Sequence, residues 1–427
     1  MEPLESLYRR ESGRMVAVLT RLFGVHNLSL AEDVVQDAFL RALEIWQFRG
    51  LPDNPAAWLM AAARNRALDV LRRERTARTF APELTQRLES EWTLVPTLDE
   101  RFAEHSIGDD LLRLMFSCCH PGLKEEAQVM LVLHLLCGFS VREVAAAYMA
   151  GHAAVEKRLT RSKKVLARSK ELFDVTRADE FAARLPAVHR ALYLLFNEGY
   201  HGASAEAPVR AELCREALRL IHLLREHPFG KTPATLALSA LLSLHAARLP
   251  ARLDAEGDLH PLFEQDRSRW DHDLIAEGEA LLAESATGPE VTEYHLEAAI
   301  AWLHATAPST EATEWARIVE VYDRLLELRP SPVVALNRAI ALAQVAGPEE
   351  GLAAIRAIEG SERLEEYPFY PAALGDLELK AGRAEPAAEH FKVALLLARN
   401  PTERRFFRQR LAASLLDLAP ARGAWHL

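Results

Sequence analysis

The side chains of this chain best placed to do chemistry are cationic. Arg64, Arg66, Arg72, Arg73, Arg75 and Arg78 form one run, and Lys157, Arg158, Arg161, Lys163, Lys164, Arg168 and Lys170 form another. Packed this densely, guanidinium and ammonium groups neutralise successive phosphates, so each run is a candidate contact to a nucleic-acid backbone. Asn65 and Asp69 interrupt the first run, and Glu156 and Thr160 border the second. Short polar side chains of these types read base edges, where cations alone read only charge. Trp46, Phe48 and Trp58 precede the first run. Rings beside arginines suit unstacked bases, with stacking worth about 1–3 kcal/mol per base; for Trp46 and Trp58 a place in the helical core is the first expectation.

Other constellations point to other chemistry with less force. Cys118, Cys119, His120, His134 and Cys137 invite a metal reading, since His134 and Cys137 would share a helix face. Adjacent cysteines chelate one ion poorly and the usual paired spacing is missing, so buried thiols packing a core are the expectation, with no metal ligands assigned. His189, Asn197, Glu198, Tyr200 and His201, or Asp266, Arg267, Arg269, Trp270 and Asp271, could furnish an enzyme site on a helical scaffold. Against catalysis stands the lack of a HExxH pair, a phosphate-cradling glycine loop or a nucleophile elbow. No catalytic residue and no cofactor is expected.

Positioning these residues falls to helices. Apolar spacing is helical nearly everywhere and no alternating β-branched run is bounded by hairpin turns, so the fold class is all-α. The first helical block, about Leu4 to Arg78, breaks at Phe48 to Pro55, where Gly50 and two prolines interrupt the pattern. Residues 79–108 mix proline, acids and scattered apolar residues and are read as a mostly extended tether with room for one short helix. A second block runs from Asp109 to about Leu172. Within it, Ser140 and Glu143 have capping-box spacing, Val144, Ala145 and Tyr148 face inward, and Gly151 permits a tight turn. A helix from about Ala153 then buries Val155 and Leu159 and exposes Glu156, Lys157, Thr160 and Arg161. That is helix-turn-helix grammar, with the second helix offered to a major groove, although a helical hairpin with a solvated basic face has the same pattern.

The remaining Ala/Leu-rich region breaks at HPFGKTP, ATGPE, RPSP and AGPEE. Leu374, Gly375, Ala387, Phe391 and Ala394 fall at tetratricopeptide spacings, and Tyr322 with Pro330, then Leu336 with Leu352, mark weaker copies. Stacked helical hairpins are expected, with an unrelated Ala/Leu bundle as the alternative.

Charge separates the two parts. The 427 residues carry a formal net charge of −10, a poor average for a nucleic-acid binder, but residues 1–175 hold 24 basic and 24 acidic side chains while residues 176–427 hold 27 and 37. Length favours two or three domains. The four cysteines are too few for a disulfide framework. No window reaches roughly 20 uninterrupted apolar residues and the start lacks an apolar signal core, which predicts a cytoplasmic protein without a membrane partner.

In sequence and in order, the helix EDVVQDAFLRA, the FRG turn, the segment WLMAAARNRALDVLRRE, a tether and a helix-turn-helix resemble the two conserved regions of extracytoplasmic-function sigma factors. RLPAVHRALYLLFNEGYHGA, DLHPLFEQDRSRWDHDLIAEG and RPSPVVALNRAIALAQVAGP resemble the extension of the subgroup with a tetratricopeptide-type C-terminal domain. The resemblance implies four parts: region 2 at 1–78, a linker at 79–108, region 4 at 109–175 and a regulatory helical domain at 176–427. It implies that Asp33, Gln36, Asp37, Phe39 and Arg41 dock core RNA polymerase. It further implies that Arg64, Asn65, Arg66 and Asp69, with Arg72 and Arg73, meet the melted minus-ten element, while Phe48 and Arg49 lie beside the displaced strand. Glu156, Lys157, Arg158, Thr160, Arg161 and Lys164 would meet the minus-thirty-five element. Many relatives carry a basic residue where Glu156 stands; a carboxylate can accept from cytosine N4 instead. Implied partners are core polymerase, promoter DNA and a protein partner of the C-terminal domain. A one-component repressor would share the helix-turn-helix but leaves the segment from Ala31 to Arg78 unexplained.

Overall fold

The computed structural model of the chain describes residues 2–77, 104–148, 150–168, 173, 177–201, 209–254 and 259–422. Eighteen α-helices lie among them, with no strand beyond an isolated antiparallel bridge between Leu253 and Leu259, so the fold is all-α as the patterning predicts. Two compact units emerge: residues 1–195 with 226–230, and residues 196–225 with 231–427.

In the first unit, α1 spans Glu2–Phe23, α2 Leu28–Arg49, α3 Pro55–Ala77, α4 Glu104–Cys118, α5 Glu125–Leu135, α6 Val141–Ala147 and α7 His152–Ala167, and the first part of α8, Ala178–His201, follows. The expected first block therefore contains one more break than its apolar pattern reveals: Gly24, at φ 83°, and a 3-10 turn at Val25–Asn27 separate α1 from α2. Gly50, at φ 76°, stops α2, and its N–H reaches the Trp46 carbonyl at 2.9 Å. Asn54 then caps α3, its Oδ1 accepting from the Ala57 N–H at 3.0 Å, with Pro55 in the first turn where its missing donor is harmless.

The expected tether at 79–108 lies outside the described residues up to residue 103; its last five residues belong to α4. Helix α1 packs on α2, α4 and α5, α2 packs on α3, and α7 lies on α5 and α6. Phe23, Leu28, Leu59, Met60, Phe116 and Phe139 are fully buried among them, each worth about 1.5–3 kcal/mol relative to exposure. Glycine sets the closest approach. A methyl added at Gly13 of α1 would run into the Leu136 carbonyl just beyond α5, and one at Gly138, at φ 67°, would lie 2.7 Å from the Ser12 Oγ.

The second unit continues through α9 (Ala211–Glu226), α10 (Pro233–Ala246), α11 (His272–Ser285), α12 (Glu293–Thr306), α13 (Trp315–Leu328), α14 (Pro332–Ala346), α15 (Pro348–Arg356), α16 (Phe369–Lys380), α17 (Ala384–Leu397) and α18 (Pro401–Arg422). All four expected Pro/Gly breaks fall between helices. The segment Pro233–Ala251 is long and apolar enough to cross a membrane by length and composition, but most of it is buried, packed by α11 and α12 as a core helix.

Beyond it, successive helices pair. Leu336 of α14 and Leu352 of α15 sit in one cluster with Leu374 and Leu377. In α16 and α17, Gly375 lets the Phe391 ring approach so closely that an added methyl would touch it at 3.0 Å, and Ala387, Phe391 and Ala394 are fully buried. Of the five residues picked out by repeat spacing, Gly375 and Phe391 meet across the two helices, Leu374 faces the preceding pair and Ala394 packs with Ala372, Ala398 and Phe407. Tyr322 instead borders the cluster built on Leu296, Ile318 and Leu325.

Candidate nucleic-acid interface

The second basic run lies on α7 from Lys157 to Lys164, with Arg168 at its C-cap and Lys170 outside the described residues, and the geometry around it follows the local sequence closely. Ser140 and Glu143 close a reciprocal capping box: the Glu143 N–H donates to Ser140 Oγ at 3.2 Å, and the Ser140 N–H donates to Glu143 Oε2 at 2.9 Å. Glu143 has a second duty, since Arg9 of α1 donates to its other oxygen at 2.8 Å. On α7, Val155, Leu159, Ser162 and Leu166 form the buried stripe at helical spacing. Glu156, Lys157, Arg158, Thr160, Arg161 and Lys164 are all exposed. Gly151 departs from expectation. Its φ of −67° is open to any residue and an added methyl would meet nothing, so the turn does not need glycine; the positive φ lies upstream at Gly138.

Two members of this run are committed within the unit. Arg158 Nη1 lies 2.6 Å from Glu126 of α5, an exposed pair worth little by itself but one that turns the guanidinium toward the neighbouring helix. Lys163 does not face outward with the rest of the run. Its Nζ lies 2.6 Å from Glu32 Oε1 of α2 and 3.1 Å from His134 Nε2 of α5, while His134 Nδ1 meets the Phe139 carbonyl at 2.7 Å. Burial pushes the Glu32 carboxyl up, but the hydrogen bond from His134 and the charge of Lys163 outweigh it and hold the group below the usual carboxylate range. One carboxylate thereby joins helices far apart in sequence, and no local pattern marks it.

On α3, Asn65, Arg66 and Asp69 are exposed and share an accessible side, whereas Arg64 is half-buried with its Nε inside. The side chains of Arg72, Arg73 and Arg75, and all of Arg78, lie outside the described residues. Arg66 Nε lies 2.7 Å from Asp37 Oδ2 of α2, which couples one residue expected at DNA to one expected at polymerase. Phe48 is 84% exposed and Arg49 stands beside it at the end of α2. Trp46 and Trp58 are half-buried and meet edge to face at 5.3 Å, so the free ring at this turn is Phe48 rather than either tryptophan.

On α2, Asp33, Gln36 and Arg41 are exposed and Asp37 is half-buried. Desolvation, then the neighbouring Glu32 and Asp37 charges, raise the Asp33 carboxyl above its ordinary range. Phe39 requires a correction. It is 5% exposed, with its ring 4.9 Å from Tyr8 in an edge-on contact, so it packs α2 onto α1 and presents nothing to a partner. Leu40 and Leu43, 58% and 46% exposed, are the apolar residues of the outer face. Both stand off the stripe Val34–Val35–Ala38–Phe39–Ala42, which is the signal that could have found them.

Cys118, Cys119, Cys137 and Cys214 are all buried free thiols. Burial pushes Cys119 and Cys214 up to about 12, so both are protonated at neutral pH. Among the described residues no group of three or more His, Cys, Asp or Glu is placed to hold a metal ion.

Residues 7–77 match the family described as Sigma-70 region 2, and residues 184–286 match a family of unknown function, DUF6596. An uncharacterized protein of Rhizobium meliloti (strain 1021) is 39% identical over 403 residues, which cover 93% of this chain and 92% of the relative. No solved structure matches the chain.

Proposed function

We propose that this chain, which belongs to the sigma-70 family of transcription factors and to one family with its Rhizobium relative, acts as an extracytoplasmic-function sigma factor in the bacterial cytoplasm. The observation that carries the reading is the coincidence of the region 2 match with an exposed Asn65–Arg66–Asp69 face on α3, followed downstream by a capped helix-turn-helix whose second helix bares Lys157, Thr160 and Arg161. Arginine and lysine hold phosphate and set register; the polar residues discriminate bases at about 1–3 kcal/mol each. Helix α3 takes the melted minus-ten strand and α7 the minus-thirty-five groove. The exposed face of α2, with Asp33, Gln36, Leu40, Arg41 and Leu43, docks core polymerase.

Elements separated by roughly 25 base pairs lie about 85 Å apart along a duplex. A compact unit of some 200 residues is only about 40 Å across. Helices α3 and α7 therefore engage both elements only after the Glu32–Lys163 and Arg9–Glu143 contacts part, and the chain between Ala77 and Glu104 can reach about 90 Å when extended. The packed unit is the form of the protein away from the promoter, and polymerase binding opens it. The C-terminal helical domain regulates that step, through a stacked tetratricopeptide-type surface that meets another protein.

Transcription reconstituted from core polymerase and the full chain tests this. Promoter-selective transcripts are expected, with Asn65→Ala and Arg161→Ala each lowering output about tenfold or more at cognate promoters. Failure of the purified chain to associate with core polymerase would overturn the reading.

A further inference from the structure

Two residue groups that suggested a site in the sequence, one around Tyr200 and one around Arg267 and Trp270, converge in the second unit on a cluster that promoter recognition does not use. Arg248 and Arg252, just beyond α10, are each only 8% exposed. The Arg252 guanidinium lies over the Tyr200 ring at 4.0 Å, and those of Arg248 and Arg267 lie over the Trp270 ring at 5.8 and 4.7 Å. None of the three arginines forms an ion pair with a carboxylate among the described residues. Arg267 donates to the His304 and Ala307 carbonyls, both at 2.7 Å, and Arg248 Nε reaches Gln265 Oε1 at 3.3 Å.

Arg252 Nε and Trp270 Nε1 are buried with no acceptor. Both groups can only donate. Burial and the neighbouring Arg248 charge push His245 and His304 down to about 3, so neither adds a positive charge at neutral pH, and the Nδ1 of each is also without a partner. Buried charges are normally paired, because an isolated one costs several kcal/mol. This cluster has fixed cations, oriented donors and aromatic faces that hold the guanidinium planes; Glu311 offsets part of the Arg267 charge, but among the described residues no carboxylate pairs with Arg248 or Arg252.

We propose that Arg248, Arg252 and Arg267, with the Trp270 N–H, form a binding site for a small oxyanion, the phosphate or carboxylate group of a metabolite, in the C-terminal unit. Guanidinium forks match the planar and tetrahedral oxygen arrays of such groups. Tyr200, Arg248, Arg252, Arg267 and Trp270 all fall within the 184–286 match to a family of unknown function. The site is independent of the transcriptional reading and can be tested without polymerase.

Thermal unfolding of the full chain is measured in inorganic phosphate, in malonate and in chloride at equal ionic strength. A ligand at ~100 times its Kd should raise the melting temperature by about 5 °C over chloride. A rise in phosphate alone assigns a phosphate group, and a rise in malonate alone a carboxylate. Arg252→Met should abolish the rise, and an exposed control, Arg404→Gln, should keep it. Arg252→Lys, which keeps the charge and guards against a variant that fails to fold, should weaken binding about tenfold through loss of the planar fork. The proposal is overturned if neither oxyanion exceeds chloride in the wild-type chain, or if the rise persists unchanged in both Arg252 variants.

Discussion

In the N-terminal unit a buried carboxylate is held between an ammonium and an imidazole, Glu32 with Lys163 and His134, whereas the C-terminal unit buries Arg252 against the Tyr200 ring and Arg248 against Gln265, neither in an ion pair with a carboxylate among the described residues. The first cluster is complete within the chain and fastens α2 to α5 and α7. The second is electrostatically open. Under the readings proposed above, buried polarity serves as a clasp in one unit and as a receptor in the other.

The largest expected effect separates the clusters by pH. His304 and His245 are neutral and buried in the fold but titrate near 6.5 when unfolded, so the unfolded chain binds more protons below that pH and stability falls as the medium is acidified. Between pH 7 and pH 5 the loss should be about 2 kcal/mol per histidine. Glu32 has the opposite history: its folded value lies below its unfolded one, so its contribution is intact above about pH 4.5 and is lost only as pH falls further, through the folded value. Hydrogen exchange across pH 7 to 4 should show α10–α12 loosening before α2 and α7, and the reverse order would break the comparison.

Substitution in the clasp comes next. Glu32→Gln leaves the Lys163 ammonium buried without its counter-charge and should destabilise the first unit by about 3 kcal/mol in urea unfolding. Replacing both Glu32 and Lys163 by apolar residues should recover much of that loss. A double-variant loss equal to the sum of the two single losses would show that the pair is not coupled.

Smaller again is Gly13→Ala, in which the new methyl meets the Leu136 carbonyl. The misfit should cost about 2 kcal/mol, raise amide exchange along α1 and α5, and leave the C-terminal unit unchanged. The smallest effect has the opposite sign. Arg252→Met removes a buried charge that has no carboxylate partner, so in chloride it should stabilise the chain by about 1 kcal/mol, checked by the midpoint of urea unfolding. Destabilisation there would mean that Arg252 serves packing on Tyr200 more than it strains for an anion.

Much of the geometry of the proposed DNA-facing helices is legible in the chain because it is local. The Ser140–Glu143 box, the buried Val155–Leu159 stripe and the exposed Glu156, Lys157, Thr160 and Arg161 depend on residues three or four apart, the spacing at which helical neighbours meet. Gly50 and Asn54 likewise mark where α2 stops and α3 starts. Less legible were the residues whose role depends on what lies across from them. Phe39 looked like a contact residue until Tyr8 covered it, Lys163 looked like one more phosphate ligand until Glu32 claimed it, and Gly151 looked like the essential turn residue although Gly138 is the one held at positive φ. Nothing adjacent in the chain sets Arg248 and Arg252 apart from surface arginines.

Taken alone, the amino-acid order determined that the chain is helical, where several of its breaks fall, and that its cations are grouped in two runs ahead of an acidic C-terminal part. These follow from periodicity, capping and composition, which act over one or two helical turns. Tertiary structure alone decided which of the described cations remain exposed, which are clasped or buried, and that Tyr200, Arg252 and Trp270 share one cluster. Those outcomes are set by helix faces meeting across tens to hundreds of residues, and only the packed chain brings those faces together.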